Sequence, residues 1–146
     1  MLVEHQLAST GIVVRQQLQA SQSVDVNRQE LQQVLINLLI NAIQAMPNGG
    51  ELCLRSRNQA SSEGQDGVLI EICDTGAGLS TAVSERLFRP FFTTKPEGNG
   101  LGLWISLGLM ERYGGTLSAS NRADLGEDTA GAVFGVWLPC EVAMPD

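Results

Sequence analysis

A glycine-rich segment with a single lysine has the residue types best suited to binding phosphate. Residues 88–103 read FRPFFTTKPEGNGLGL, and Lys95 within them is the only lysine of the chain. Glycines follow it at alternate positions: Gly98, Gly100 and Gly102. An apolar run from Leu101 predicts a helix, whose N-terminal N–H groups and dipole attract an anion, and the ammonium group adds a full charge. The segment is not a Walker loop, because it lacks the Gly-Lys-Ser/Thr ending, and Lys95 alone would also fit a solvated surface position.

Two asparagines, Asn37 and Asn41, lie one turn apart on a predicted helix. Apolar residues recur at three- and four-residue steps over residues 28–46, and both asparagines fall on one edge of that apolar stripe. An amide oxygen is a neutral, hard ligand that suits Mg²⁺ already carrying phosphate oxygens. Taken alone, the pair is better explained as the polar flank of an amphipathic helix.

Asp74 ends a predicted strand at residues 68–74 and is followed by Gly76 and Gly78. A carboxylate only accepts hydrogen bonds, so it suits an exocyclic amine such as that of adenine, whereas guanine presents an acceptor at that place. Glycines have no Cβ and let a planar ring approach the backbone. The motif DTGAG alone would also fit an ordinary Asp-Gly turn.

The elements that must position these residues alternate between strands and helices. Strands are predicted at residues 11–18, 51–57, 68–74, 116–122 and 131–139, and the last two form a hairpin. Helices are predicted at 28–46, with Asp25 or Asn27 as N-cap, at 101–113, and as a short piece at 81–88. Residues 58–67 read as a polar hairpin loop. This mixture predicts an α+β fold in which two main helices cover one face of a sheet.

Composition limits the classes of protein to which the chain can belong. With 146 residues it fits one domain. Its net charge of −7 argues against a nucleic-acid binder, which needs a basic face. Three cysteines, Cys53, Cys73 and Cys140, show no paired spacing, so reduced thiols are expected instead of disulfides or a metal site. The sequence shows neither a signal peptide nor an apolar run of about 20 residues, so we expect a cytoplasmic location.

Taken together and in this order, the motifs resemble the ATP-binding catalytic domain of bacterial sensor histidine kinases, which belongs to the Bergerat-fold ATPase superfamily. LQQVLINLLINAIQAM resembles the N box, DTGAGLS the first glycine box, LFRPFFTTK the F box and GNGLGL the second glycine box. The segment FFTTKPEGNGLGL is most similar to the corresponding segment of the nitrogen-regulation, oxygen-sensing and dicarboxylate-sensing kinases, which have a short lid. The implied fold is a two-layer α/β sandwich at residues 11–140, a mixed sheet with helices on one face, between an upstream remnant (1–10) and a tail (141–146).

The resemblance also implies a role for individual residues. Asn41 would be the Mg²⁺ ligand, Asp74 would hold the adenine amino group, and Asn37 and Lys95 would be the catalytic residues beside the phosphates. The other implied ATP-binding residues are Ala45, Gly76, Gly78, Leu79, Phe91, Thr93, Thr94, Gly98, Asn99, Gly100, Leu101, Gly102 and Leu103. Asn99 stands where Thr or Ser is frequent in the family, so its contact with phosphate is an open question.

The sole histidine does not resemble the family's phosphoacceptor. That acceptor lies on a separate helical hairpin and is usually followed by Glu or Asn and then Pro, whereas His5 is followed by Gln6 and Leu7. We therefore expect a monomeric fragment of a longer kinase. It would bind ATP and Mg²⁺ and phosphorylate a histidine on its upstream dimerisation domain, which would pass the group to a response-regulator receiver domain. Anchoring of the parent in the inner membrane by upstream segments stays open.

Three alternative functions are weighed against this one. Related ATPases place a glutamate one turn before the metal-binding asparagine to activate water, and Asn37 at that position predicts slow hydrolysis, unlike a gyrase- or chaperone-like ATPase. A serine kinase of the anti-sigma type is disfavoured by FRPFFTTK. A non-catalytic nucleotide-binding or docking module would use Ile36, Ile40 and Ile43, which point away from the leucine stripe, as a contact surface unless another element covers them.

Overall fold

The computed structural model describes residues 11–90 and 102–140, and their strands and helices alternate largely as the sequence predicts. These described residues form five strands: β1 Ile12–Leu18, β2 Gly50–Asn58, β3 Gly67–Cys73, β4 Thr116–Asn121 and β5 Ala132–Pro139. Three helices accompany them: α1 Arg28–Gln44, α2 Thr81–Ser84 and α3 Gly102–Glu111. A single 3-10 turn, Arg122–Leu125, follows β4.

The strands form one mixed sheet in the order β1-β2-β3-β5-β4. β1 pairs with β2 in parallel, and the other three pairs are antiparallel. The parallel pair needs a crossover, and α1 supplies it between β1 and β2. The predicted α+β class, the closing hairpin of β4 and β5 and the hairpin of β2 and β3 are confirmed.

Helix α1 forms because its apolar period and its N-cap agree. The Asn27 side chain accepts a hydrogen bond from Glu30 N at 3.0 Å, so Asn27 and not Asp25 is the cap. The helix ends at Gln44, two residues before the predicted limit, because Ala45 caps it and Pro47 follows shortly after. Its buried residues are Val34, Leu38, Ala42 and Ile43.

The hydrophobic core lies between the helices and one face of the sheet. Strand residues that face it include Leu52, Ile72, Phe134, Val136 and Leu138, and Met110 of α3 joins them. Ile43 is buried in this core and Ile36 packs against it, so two of the three isoleucines considered as a contact surface are covered. The two-layer sandwich with helices on one face is therefore confirmed.

Several element limits differ from the sequence-based expectation. The short helix predicted at 81–88 is helical only over Thr81–Ser84 and continues as turns. The strand predicted at 116–122 ends at Asn121, because the chain enters the 3-10 turn at Arg122. The predicted segments 1–10, 91–101 and 141–146 lie outside the described residues.

Two further expectations concern the cysteines and the membrane. Cys53, Cys73 and Cys140 are free thiols, the first two buried and the third half-buried, and burial raises the pKa of the Cys73 thiol to about 12. Across 11–90 and 102–140, no helix has the length and apolar character needed to cross a membrane.

The packing of α1 against the sheet predicts a large effect of truncating its central leucine. Leu38 is fully buried (0% exposed). Leu38→Ala should lower the free energy of unfolding by about 2–5 kcal/mol, because a cavity adds to the lost transfer energy. Urea denaturation followed by circular dichroism measures the change. Val13→Ala on the edge strand is the control, since Val13 is 58% exposed and surface changes stay within about 0.5 kcal/mol. Equal losses in the two variants would contradict this account of the core.

Candidate functional site

Asp74 is a buried carboxylate at the end of β3. Its residue is 1% exposed. The Oδ1 atom accepts hydrogen bonds from Gly76 N at 2.9 Å and from Ala132 N at 3.1 Å. The Asp74 N–H donates in turn to the Ala132 carbonyl at 3.0 Å. These bonds hold the carboxylate between the turn that follows β3 and the first residue of β5.

Burial changes the proton affinity of this group. Removal from water raises the pKa of the Asp74 carboxyl above its ordinary value, and it outweighs the lowering by the Gly76 and Ala132 N–H groups and by the charge of Arg122. The low local dielectric also strengthens any hydrogen bond that the ionised carboxylate accepts. Asp74 is therefore suited to accept a hydrogen bond from a polar donor group of a ligand.

The turn after Asp74 packs against the C-terminal end of α1. A Cβ on Gly76 would collide with the carbonyl oxygen of Ala45, so only glycine allows the two segments to approach so closely. The Thr75 N–H donates to Met46 Sδ at 3.4 Å, and Thr75 Oγ1 accepts from Glu51 N at 3.0 Å. The structure thus brings together Asp74, Gly76 and Ala45, which the sequence analysis assigned to one site.

The far end of the same turn is held by Asn121, the last residue of β4. Its Oδ1 accepts from Leu79 N at 2.7 Å, and its Nδ2 donates to the Leu79 carbonyl at 2.8 Å. Gly78 has a positive φ of 81°, and a Cβ there would lie 2.6 Å from Asn121 Oδ1. Asn121 is not among the site residues predicted from the sequence, in which its only signal is a polar residue where a strand ends.

Helix α1 carries a row of residues that ends at this turn. Asn37, Asn41 and Ala45 are four residues apart, so they lie above one another on one side of the helix. Both asparagines are half-buried, as predicted for the border between core and solvent. The row rises about 12 Å along the helix axis, and its Ala45 end contacts the turn that carries Asp74.

The other end of the row meets the start of α3. Asn37 Nδ2 donates to Ser106 Oγ at 3.3 Å, and Ser106 is 1% exposed. A Cβ placed on Gly102 would lie 4.0 Å from Asn37 Nδ2, so the helix N-terminus is close to that asparagine. Chemically, the row of α1 links a buried hydrogen-bond acceptor, two amide groups that suit a hard cation, and a helix N-terminus that suits an anion.

The remaining predicted site residues divide into two groups. Leu79 and Leu103 are half-buried and pack against the hydrophobic core. Eight others fall in 91–101, outside the described residues: Phe91, Thr93, Thr94, Lys95, Gly98, Asn99, Gly100 and Leu101. Their roles therefore stay predictions.

Comparison with known proteins places the chain in a family. Residues 26–142 match the family described as histidine kinase-, DNA gyrase B-, and HSP90-like ATPase. The sensor histidine kinase ZraS of Escherichia coli O157:H7 is 36% identical over 123 residues, which are 84% of this chain and 25% of ZraS. The chain thus spans about a quarter of the length of this relative.

Solved structures agree with this match. The catalytic domain of histidine kinase ThkA in a nucleotide-free form superposes with a TM-score of 0.78 at 30% identity, covering 95% of this chain and 86% of that domain. Full-length ShkA in complex with AMPPNP has a TM-score of 0.76 at 26% identity, covering 99% of this chain and 29% of ShkA. The chain therefore belongs to the histidine kinase-, DNA gyrase B- and HSP90-like ATPase family, and within it to the catalytic domains of histidine kinases.

Proposed function

We propose that this chain binds ATP with Mg²⁺ and transfers the γ-phosphoryl group to a histidine on a separate helical hairpin domain. A response-regulator receiver domain would then take the group from that histidine. The proposal rests mainly on the position of Asp74. This carboxylate is nearly fully buried, and the turn that follows it packs through Gly76 against α1, the helix that also carries Asn37 and Asn41. Membership of the histidine-kinase catalytic domains supports it.

The base would bind at Asp74. The ionised carboxylate accepts a hydrogen bond from the exocyclic amine of adenine, and it repels the carbonyl oxygen that hypoxanthine or guanine carries at the same position. Gly76 and Gly78 allow the turn to pack closely against Ala45 and Asn121, and this packing would fix the backbone beside the base. Because Oδ1 already accepts two backbone N–H groups, we expect Oδ2 to accept from the amine.

The triphosphate would extend along α1 toward the start of α3. Asn41 supplies an amide oxygen as a Mg²⁺ ligand, and bound Mg²⁺ would neutralise charge on the phosphates. Within the described residues, no group of three or more His, Cys, Asp and Glu side chains is arranged to hold a metal ion. Mg²⁺ that arrives with ATP would bring phosphate oxygens among its ligands. The α3 N-terminus at Gly102 would attract the phosphates. Lys95, which lies outside the described residues, is proposed to bind the terminal phosphate through its positive charge.

The transfer step needs positioning more than it needs a base. A neutral imidazole nitrogen attacks the γ-phosphorus in line, the N–P bond forms, and the bond to the bridging oxygen breaks to leave ADP. Asn37 stands one turn before Asn41, and its amide cannot take a proton from water. This composition of the site supports phosphoryl transfer over rapid hydrolysis.

The proposal predicts a defined product in a transfer assay. The chain is mixed with Mg²⁺, γ-³²P-labelled ATP and a separately expressed phosphoacceptor hairpin of a sensor histidine kinase. We expect label on the hairpin that is lost in acid and retained in base, because a phosphoramidate bond has that stability. Acid-stable label would indicate serine phosphorylation instead, and failure to bind ATP in calorimetry would indicate a non-catalytic docking module.

Because the Asp74 carboxyl group titrates, we expect the selectivity for the base to depend on pH. Above the raised pKa of the free protein's carboxyl, the carboxylate accepts from the ATP amine. As the pH falls through that pKa, the neutral acid can donate to the ITP carbonyl. The ratio of ATP to ITP affinity should therefore fall on acidification, starting above the ordinary aspartate value of about 4. The shared triphosphate cancels in this ratio.

Fluorescence competition between the two nucleotides measures this ratio. Asp74→Asn is the control, and it should make the ratio independent of pH because an amide does not titrate. A wild-type ratio that stays constant from neutral pH down to the ordinary range of aspartate would contradict the assignment of Asp74 to the base.

If Asn41 is a Mg²⁺ ligand, its replacement should weaken ATP binding only when Mg²⁺ is present. Asn41→Ala should weaken ATP binding at least about tenfold in Mg²⁺, the scale on which metal sites respond to lost partners, and should have little effect in EDTA. Titration calorimetry under both conditions measures it. Gln44→Ala, an exposed change in the last turn of the same helix, is the matched control. Equal losses with and without Mg²⁺ would show that Asn41 supports the pocket and does not bind the metal.

A further inference from the structure

A chain of ion pairs crosses the face of the sheet that the helices do not cover. Arg57 Nη1 lies 2.7 Å from Glu71 Oε1, and Arg55 Nε lies 3.4 Å from the same oxygen. Arg55 Nη2 lies 3.1 Å from Glu127 Oε2, and Arg122 Nη2 lies 3.0 Å from Glu127 Oε1. We call these five residues the arginine–glutamate chain. Its two terminal residues, Arg57 and Arg122, differ strongly in how far their side chains are exposed to solvent.

Arg122 is the buried end of the arginine–glutamate chain. Its side chain is 9% exposed, whereas the Arg57 side chain is 47% exposed. The Arg122 Nη1 group donates to the backbone carbonyl of Asp74 at 3.2 Å. Among the five members, only Arg122 has a described hydrogen bond to Asp74 itself.

Glu127 sets the orientation of the Arg122 guanidinium. Arg122 Nε and Nη2 both donate to Glu127 Oε1, at 3.1 and 3.0 Å. Glu127 is held in turn by two bonds from Arg55, at 3.3 and 3.1 Å, and these contacts lower the pKa of the Glu127 carboxyl, Arg55 most strongly. A planar guanidinium fixed along one edge can point its remaining donors in one direction only. Here that direction leads to the Asp74 carbonyl.

A buried guanidinium rarely improves stability, because its desolvation offsets the attraction of its partners. Arg122 is therefore better explained by what it orients. The carbonyl of Asp74 shares its Cα with the carboxylate, so fixing the peptide group restricts where the carboxylate can lie. The neighbouring Asn121 holds Leu79 at the other end of the same turn.

We propose that Arg122 is a positioning residue for base selection, which acts by fixing the main chain of Asp74 while Glu127 orients its guanidinium. This inference rests on the proposed binding of ATP. It assigns to Arg122 no contact with the nucleotide. Its effect should appear in the selectivity for the exocyclic amine. ITP lacks that hydrogen bond and its carbonyl is repelled by the carboxylate, so a less firmly held carboxylate does not lower the affinity for ITP.

The test compares ATP and ITP binding in Arg122→Met and wild type. Met keeps much of the buried stem and removes all donors. We expect ATP affinity to fall about tenfold, the size typical of losing one hydrogen bond to a charged group, and ITP affinity to stay the same or rise. The melting temperature without nucleotide is measured in parallel and shows whether the variant is folded.

Arg57→Met is the matched control. It removes the same functional group from the other end of the arginine–glutamate chain, where Arg57 bonds to Glu71 and Gln59. Selectivity for ATP over ITP should stay within about twofold of wild type. If Arg122→Met does not fold, Glu127→Gln tests the same idea, because it weakens the orienting contact and should lower the selectivity several-fold.

The outcomes separate this inference from the proposed function. If wild type does not bind ATP, the proposed function fails, and the inference fails with it. If wild type prefers ATP and Arg122→Met lowers the affinity for ATP and ITP by equal factors, Arg122 has only a structural role and the inference alone is overturned. Unchanged selectivity in a folded Glu127→Gln variant would also overturn it.

Discussion

A carboxylate that is removed from water must be hydrogen-bonded, and the site is organised around meeting this requirement at Asp74. Two backbone N–H groups, from Gly76 and Ala132, bind the same carboxylate oxygen. To supply them, the turn has to fold back over the end of α1, and β5 has to begin directly beside β3. The polar group therefore specifies the local geometry, and its burial makes it a strong acceptor for whatever binds there.

Helix α1 links the hydrophobic core to the site. One side of it buries Val34, Leu38 and Ala42, and the neighbouring side carries the row of Asn37, Asn41 and Ala45. Since both sets lie on one rigid helix, the packing that stabilises the domain also sets the spacing between the Asp74 turn and the start of α3. The bond between Asn37 and Ser106 adds a direct tie between the two helices.

The two faces of the sheet have different roles. The helix-covered face is apolar and accounts for most of the burial. The other face carries the arginine–glutamate chain, and the cost of removing charges from water offsets much of the attraction in such a network. Such a network is better suited to holding one geometry than to adding free energy. Its contact with Asp74 places this ordering effect at the site, on the side opposite to α1.

The class of fold, the main helices and strands, and the family could all be predicted from the amino-acid sequence. The apolar period and the cap at Asn27 are local features, and the four motifs occur in an order that is specific when taken together. Asn41 and Asp74 were candidates because amides and carboxylates have definite chemistry. The short helix after residue 80 was overestimated, because its local pattern gives no signal of where the turn stops it.

The enclosure of the site depends on contacts between residues that are far apart in the chain. Asn121 is 42 residues from Leu79, and Arg122 is 48 residues from Asp74. Periodicity and motif spacing report on neighbours along the chain, and they contain no information on which distant strands pair. The strand order places β5 between β3 and β4, and this pairing brings the end of β4 beside the turn after β3. The contacts of Asn121 and Arg122 follow from that arrangement, because hydrogen bonds depend on distance in space and not on separation in sequence.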